Sequence, residues 1–323
     1  MWHSASIVVA TVLGLAISRS VQAQVLAYED FNYTAGTSIV GLSGGDSFGW
    51  ANPWATSGSG VFFGTNTPGS LSYTDLNSNT RNGNAGSLIV GYVPSNPGNT
   101  TATPNRNLPF VGPTNTLGSI GAANGNSVWI SCMYMRLGPT TSPTFFRQAN
   151  LGFFRGVTTA GGGGTETFDV GAPNTSATVN NFMSVWGNAG PSGAAPLQST
   201  VPVFTATPTY ILIHMVVDNT IAADTAYVWF NPPNLSTQPA DGTATLTDSS
   251  VDLSFINNIR FQGGNANGNG TNAMYQVDEL IVGNTFLDVT TIPTVPEPSG
   301  IALAALGGTA LACFGRARSR RRR

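Results

Sequence analysis

The sequence predicts an all-β chain, folded as an antiparallel two-sheet sandwich of jelly-roll type. Three observations predict it. Charged residues make up only 9% of the 323 positions, while Gly, Asn, Ser and Thr are abundant; that is the composition of many short strands joined by polar turns. Apolar residues reach 41%, enough for a packed core and too many for wholesale disorder. Outside the two ends no long amphipathic helical pattern occurs, so alternating strands must bury one face against another sheet.

Alternation and turn signals mark the strands in order. The clearest candidates are 25–31, 87–93, 128–136, 151–154, 182–186, 210–217, 226–230, 253–261 and 275–282, followed by a final strand-like segment at 286–289. Loops rich in Gly, Asn and Pro separate them, notably 94–104, 161–164, 188–196 and 263–272. No repeat period is present, which argues against a propeller or solenoid. The expected organisation is a signal peptide over 1–23, one β-sandwich domain over 24–291 and a tail over 292–323.

The first end is a short apolar run from Ile7 to Ile17, followed by Val21-Gln22-Ala23. This is the pattern of a secretory h-region and its small-residue cleavage site, with the cut expected between Ala23 and Gln24. At the other end Val295-Pro296-Glu297-Pro298-Ser299 precedes an apolar stretch from Gly300 to Gly315. A helix of that length spans roughly 24 Å, short of a hydrocarbon core of about 30 Å. The chain closes on Arg316, Arg318, Arg320, Arg321, Arg322 and Arg323, a basic cluster that would hold this end cytoplasmic and place the body outside.

Motif, marginal helix and arginine cluster in this order resemble the PEP-CTERM sorting domain, with Pro296, Glu297 and Pro298 matching its namesake tripeptide. The resemblance implies an exosortase-type membrane protease as partner. It also implies transient anchoring in the inner membrane of a Gram-negative bacterium that makes exopolysaccharide, then release to the cell surface or matrix. The plainer alternative is a permanent membrane anchor behind a Pro-rich linker.

Charge and cysteine content narrow the body further. Between Gln24 and Ser299 six Arg face fifteen Asp and Glu, so nucleic acid is a poor partner for it. One body cysteine, Cys132, gives no internal disulfide framework. It lies in the apolar run 128–135 and reads as a buried, inert thiol.

Two segments carry a second resemblance. Leu26-Ala27-Tyr28-Glu29-Asp30-Phe31-Asn32-Tyr33 leads on to Gly49-Trp50 and Trp54, and Tyr275-Gln276-Val277-Asp278-Glu279-Leu280-Ile281-Val282-Gly283 closes the body. They resemble the first and last strands of concanavalin A-like (laminin G-like) sandwiches. Membership would imply glycan binding, adhesion and, in some branches, glycan hydrolysis.

Hydrolysis by this fold needs two carboxyl groups about 5–5.5 Å apart, supplied most simply by residues i and i+2 on one face of a strand. Asp278 and Glu279 are adjacent, and Glu166 and Asp169 are three apart, so on regular strands each pair is split between faces. No catalytic residue is therefore assigned. His214 is the one histidine of the mature body, too few for a zinc site or a triad; it is expected to be a strand residue with a satisfied ring nitrogen. Calcium needs only oxygens. Asp278 and Glu279 beside the loop 265–272 are the candidate ligands, and Asp218 with Asp224 flank another turn. Trp50 and Trp54, in a Gly/Asn/Pro-rich segment, are the candidate rings for stacking on a sugar. The function expected is a non-catalytic exported surface or matrix protein, glycan-binding, adhesive or structural. The alternatives are a glycan-active hydrolase of the same fold and a permanently anchored sandwich.

Overall fold

A computed structural model of the chain describes residues 25–34, 39–43, 47–56, 70–83, 86–90, 104–107, 126–138, 147–156, 164–173, 182–187, 196–203, 205, 207–217, 224–265 and 274–291. The expected cleavage site at Ala23 and Gln24, the motif Val295–Ser299 and the arginine cluster lie outside the described residues.

The strands are β1 (Val25–Glu29), β2 (Ala55–Thr56), β3 (Ser72–Thr74), β4 (Thr80–Asn82), β5 (Leu88–Val90), β6 (Pro104–Asn107), β7 (Asn126–Gly138) and β8 (Arg147–Arg155). They continue as β9 (Thr165–Ala172), β10 (Phe182–Gly187), β11 (Leu197–Pro202), β12 (Thr209–Val217), β13 (Asp224–Phe230), β14 (Leu246–Val251), β15 (Ile256–Asn265) and β16 (Met274–Gly283). The first sheet runs β1-β16-β7-β12-β13-β14, with β5 also on β16; the second runs β11-β10-β9-β8-β15-β6-β2. Pairing in both is antiparallel, and β3–β4 form a separate hairpin. This is the expected two-sheet sandwich.

Period-two alternation builds the core. On β7 Val128, Ile130, Cys132 and Tyr134 point inward, and they meet Leu151, Phe153, Phe168, Val170, Ile259 and Phe261 of the second sheet. Cys132 is buried as expected, and burial pushes its thiol up to about 12, leaving it inert as a nucleophile. The outward residues of the first sheet are apolar too. Trp129, Met133, Tyr210, Leu212 and Trp229 form a second cluster with Leu71, Leu235, Phe286 and Val289.

Phe286 and Val289 belong to a helix, α1 (Phe286–Thr290), where a strand-like segment was expected. The side chain of Thr285 accepts the Asp288 N–H at 3.3 Å, and the Asp288 carboxylate accepts the Thr285 N–H at 2.8 Å. This reciprocal cap satisfies donors that a first helical turn leaves open. The Val289 carbonyl then accepts the hydroxyls of Ser131 (2.7 Å) and Tyr210 (2.9 Å), which ties α1 to β7 and β12. Among the described residues no helix is long and apolar enough to cross a membrane.

Candidate functional site

Both carboxylate pairs that strand parity separates are brought together, each by an irregularity in its strand. On β16 the register against β7 slips between Asp278 and Ile281, and Glu279 adopts a φ of +52°, the left-handed region that non-glycine residues rarely enter. Both side chains are buried. Asp278 accepts the N–H groups of Leu71 and Glu279, each at 2.9 Å. Glu279 accepts the Tyr28 hydroxyl at 3.1 Å and pairs with Arg81 at 3.3 Å. Burial, then the charge of Glu279, pushes Asp278 up to about 8.

The neighbouring acids are engaged in the same way. Glu29 accepts Ser47 Oγ (2.7 Å), the Phe31 N–H (3.0 Å) and Trp54 Nε1 (3.0 Å), and Asp30 accepts the Asn32 N–H at 3.1 Å. Each oxygen of Asp278 and Glu279, the candidate calcium ligands, thus meets a protein donor. Asp224 accepts the Leu253 N–H at 2.6 Å, and Asp218 lies outside the described residues. No group of three or more His, Cys, Asp or Glu side chains among the described residues is placed to hold a metal ion.

The expectation for Trp54 is corrected. It is only 1% exposed and packs with Phe31 and Phe261, ring centroids 5.8 Å apart. The Glu29 carboxylate meets its one polar atom, so the whole ring can enter the core. Trp50 is half-buried, and its ring N–H donates to the Tyr28 carbonyl at 2.8 Å. His214 has the satisfied nitrogen expected of it, with Nδ1 2.9 Å from Asp241, and its ring stacks on Trp129 at 4.1 Å.

The site that sequence parity missed lies on the outer face of the second sheet. Register places Trp186, Asp169, Gly152 and Arg260 in one row across β10, β9, β8 and β15. Ser184, Gly171, Asn150 and Gln262 form the next row, and Glu166, Phe154 and Asn258 a third. The alternate residues Val185, Val170, Leu151 and Phe261 face the core. One sheet thus has an apolar inner face and an amide-, acid- and aromatic-rich outer one.

Glu166 reaches this face through a bulge. Phe153 pairs with Phe168, but Phe154 pairs with Glu166, so Thr167 is the extra residue. Its hydroxyl donates to the Phe153 carbonyl at 2.9 Å. One inserted residue reverses strand parity, and Glu166 comes to the same face as Asp169. Burial drives the Asp169 carboxyl well above the usual carboxylate range, reinforced by the Glu166 contact and opposed by Asn150 and Arg260. Asn150 Nδ2 donates to Asp169 Oδ1 and, at 3.1 Å, to Gln262 Oε1. The Arg260 guanidinium lies 3.8 Å over the Phe154 ring.

Four buried polar atoms of this face have no hydrogen-bond partner: Asn150 Oδ1, Glu166 Oε1, Asp169 Oδ2 and Trp186 Nε1. Such atoms are costly to leave unmet and ask for a partner. Asn150 Oδ1 can only accept and Trp186 Nε1 can only donate, while a carboxyl oxygen accepts, or donates where it carries a proton. Glu166, half-buried, marks the side open to solvent, beside exposed Thr165 and Gly156.

No family model and no curated protein matches this chain. Among solved structures it is similar to the endo-1,3-β-glucanase of Streptomyces sioyaensis, at 12% identity and a TM-score of 0.43 over 80% of this chain and 95% of that one. It is likewise similar to the exoplasmic/lumenal domain of VIP36 in its metal-free form (11%, TM-score 0.42, 80% and 96%). A third is the endo-β-1,4-glucuronan lyase of Trichoderma reesei (14%, TM-score 0.39, 63% and 82%). Likeness at this level assigns no activity to the chain.

Proposed function

We propose that this chain is an exported, non-catalytic surface or extracellular-matrix protein whose sandwich binds a saccharide on the outer face of its second sheet. The observation that carries the binding is the set of unmet atoms at Asn150, Glu166, Asp169 and Trp186. A ligand that meets a mixed set of neighbouring acceptors and donors carries hydroxyl groups, each of which both donates and accepts. A bare cation would serve the three oxygens only, leaving the Trp186 N–H unmet, and it would sit beside the Arg260 charge.

Export rests on the secretory pattern before Gln24 and on the PEP-CTERM resemblance of residues 295–323, with an exosortase-type protease as the processing partner. Intact mass of the protein from the surface of its host tests this limb. A species that starts near Gln24 and ends near Pro296-Glu297-Pro298 is expected; a full-length tail in the membrane fraction overturns it. The binding limb is tested by titrating the folded chain with dextran, laminarin and galactomannan. Saturable binding to at least one, lost in Trp186→Ala and Asn150→Leu, is expected. No binding to any overturns it.

A further inference from the structure

We infer that the cut between Ala23 and Gln24 has to be made before β1 joins β16, so that the precursor meets its signal peptidase unfolded and a chain that folds first keeps its signal segment. The inference rests on the export reading above and adds the order of the two events.

The spacing at the N-terminal end decides it. One residue, Gln24, separates the expected cut from Val25, the first residue of β1. A peptidase binds the residues around the bond it cuts as an extended run whose backbone it must reach, and folded chains are nicked where they are exposed and loosely held. Val25 and Leu26 are the second and third residues beyond the cut, and folding closes the strand they begin on both of its edges. On one edge Val25 pairs with Gly283, Ala27 with Val282 and Tyr28 with Ile281 of β16. On the other lies the segment 47–50. Tyr28 and Phe48 exchange both backbone hydrogen bonds, at 3.0 and 3.1 Å. The Trp50 ring N–H donates to the Tyr28 carbonyl, and a Cβ on Gly49 would lie only 2.1 Å from the Leu26 carbonyl oxygen.

Side chains fasten the strand further. Ala27, Tyr28 and Glu29 are buried. The Tyr28 hydroxyl reaches Glu279, and Glu29 accepts from Ser47, Trp54 and the Phe31 N–H. A cut on the folded chain therefore waits for β1 to open, and its rate follows the small population of the open form. The unfolded chain has no such lock. The partner that closes it also comes late, because Glu279 stands 251 residues beyond Tyr28 and β1 cannot dock until that part of the chain is in place. In that interval water adds across the Ala23–Gln24 peptide bond, leaving a carboxylate on Ala23 and a free amine on Gln24. β1 is then free to complete the first sheet.

The test offers the full chain in detergent to a bacterial signal peptidase in two ways, as the chain is diluted from urea and after it has refolded. Cutting should be at least about tenfold slower after refolding, tenfold corresponding to 1.4 kcal/mol of strand opening. A flexible spacer of about eight Gly and Ser residues between Gln24 and Val25 moves the cut away from β1 and should return the refolded chain to the faster rate. Equal rates for the two wild-type arms overturn the inference, as does slow cutting of the refolded spacer variant. The two wild-type rates decide even if the spacer variant fails to fold. No cutting in either wild-type arm overturns the signal-peptide reading instead.

Discussion

Glu166 and Asp169 stand three residues apart on β9 and still share one face of the sheet, because Thr167 bulges out between them. The same relation recurs at Asp278 and Glu279, where a left-handed Glu279 turns two consecutive carboxylates into one buried cluster. Both acidic pairs are therefore products of broken strand parity. They differ in what satisfies them. Arg81, Tyr28 and backbone N–H groups close the β16 pair, whereas the β9 pair keeps open acceptors.

Asp278 makes stability depend on pH. Its carboxyl rises from an ordinary 3.8 to about 8 on folding, so the folded chain holds that proton more tightly than the unfolded one. The associated stability is fully present below pH 3.8 and is lost as the pH rises through about 8. The slope is at most about 1.4 kcal/mol per pH unit. Urea unfolding across that window should show the decline. Asp278→Asn should flatten it while costing about 1–3 kcal/mol at low pH for a disturbed N–H contact. An equal slope in the variant would exclude Asp278 as its source.

Arg81 anchors the β3–β4 hairpin to β16 through the buried ion pair with Glu279. Arg81→Met leaves that carboxylate without its cation and should cost about 3–5 kcal/mol in urea unfolding. Adding Glu279→Gln removes the stranded charge and should recover part of the loss, giving a favourable coupling between the two sites. Strict additivity would mean that the pair contributes nothing as a pair.

The strands that sequence reading located are those with clean alternation or long apolar runs. On β12, residues 210–217 are apolar but for His214, and on β7 the outward Trp129 and Met133 are apolar like the inward residues because α1 covers the outside. β9 was missed because Thr165-Glu166-Thr167-Phe168 reads as polar turn, and the bulge at Thr167 removes the period-two signal. The site was missed for the same reason, since Glu166 and Asp169 fall on opposite faces of any regular strand. Trp54 was misplaced because its turn-like neighbours suggest exposure, while the partner that lets it be buried, Glu29, lies twenty-five residues away. The helix at Phe286 carried a readable signal, Thr285-x-x-Asp288, the reciprocal cap pattern.

That cap supports packing well beyond one short helix. Phe286 sits edge-on to Trp129 at 5.6 Å, and the Val289 carbonyl holds Ser131 and Tyr210. Thr285→Ala should cost about 1 kcal/mol and Phe286→Ala about 3–5 kcal/mol. Thermal melts of the two variants, with near-UV circular dichroism to follow Trp129, measure both. A smaller loss for Phe286→Ala than for Thr285→Ala would show that α1 is peripheral to the second core.

Gly152 separates the demands of the site from those of the fold. A Cβ there would lie 2.6 Å from Asp169 Oδ1 and 2.9 Å from Phe154 Cε2, so the Asp169 carboxyl occupies the space that a side chain would fill. Gly152 has no positive φ, and alanine is compatible with its strand backbone. Gly152→Ala must therefore act by displacing the Asp169 carboxyl and the Phe154 ring, which carries Arg260 on its face. Strain of this kind typically costs 1–3 kcal/mol, which a melt would show as a lowered Tm with the cooperative transition retained. Saccharide affinity should fall much further than stability, because Asp169 Oδ2, Glu166 Oε1 and Asn150 Oδ1 would no longer keep their spacing. Gly171→Ala is the control for general damage to the same face: its φ of +139° and a Cβ only 2.5 Å from the Ala149 carbonyl direct the strain into the backbone. If Gly152→Ala bound dextran, laminarin or galactomannan as the wild type does, the carboxyl pair would not be part of the site.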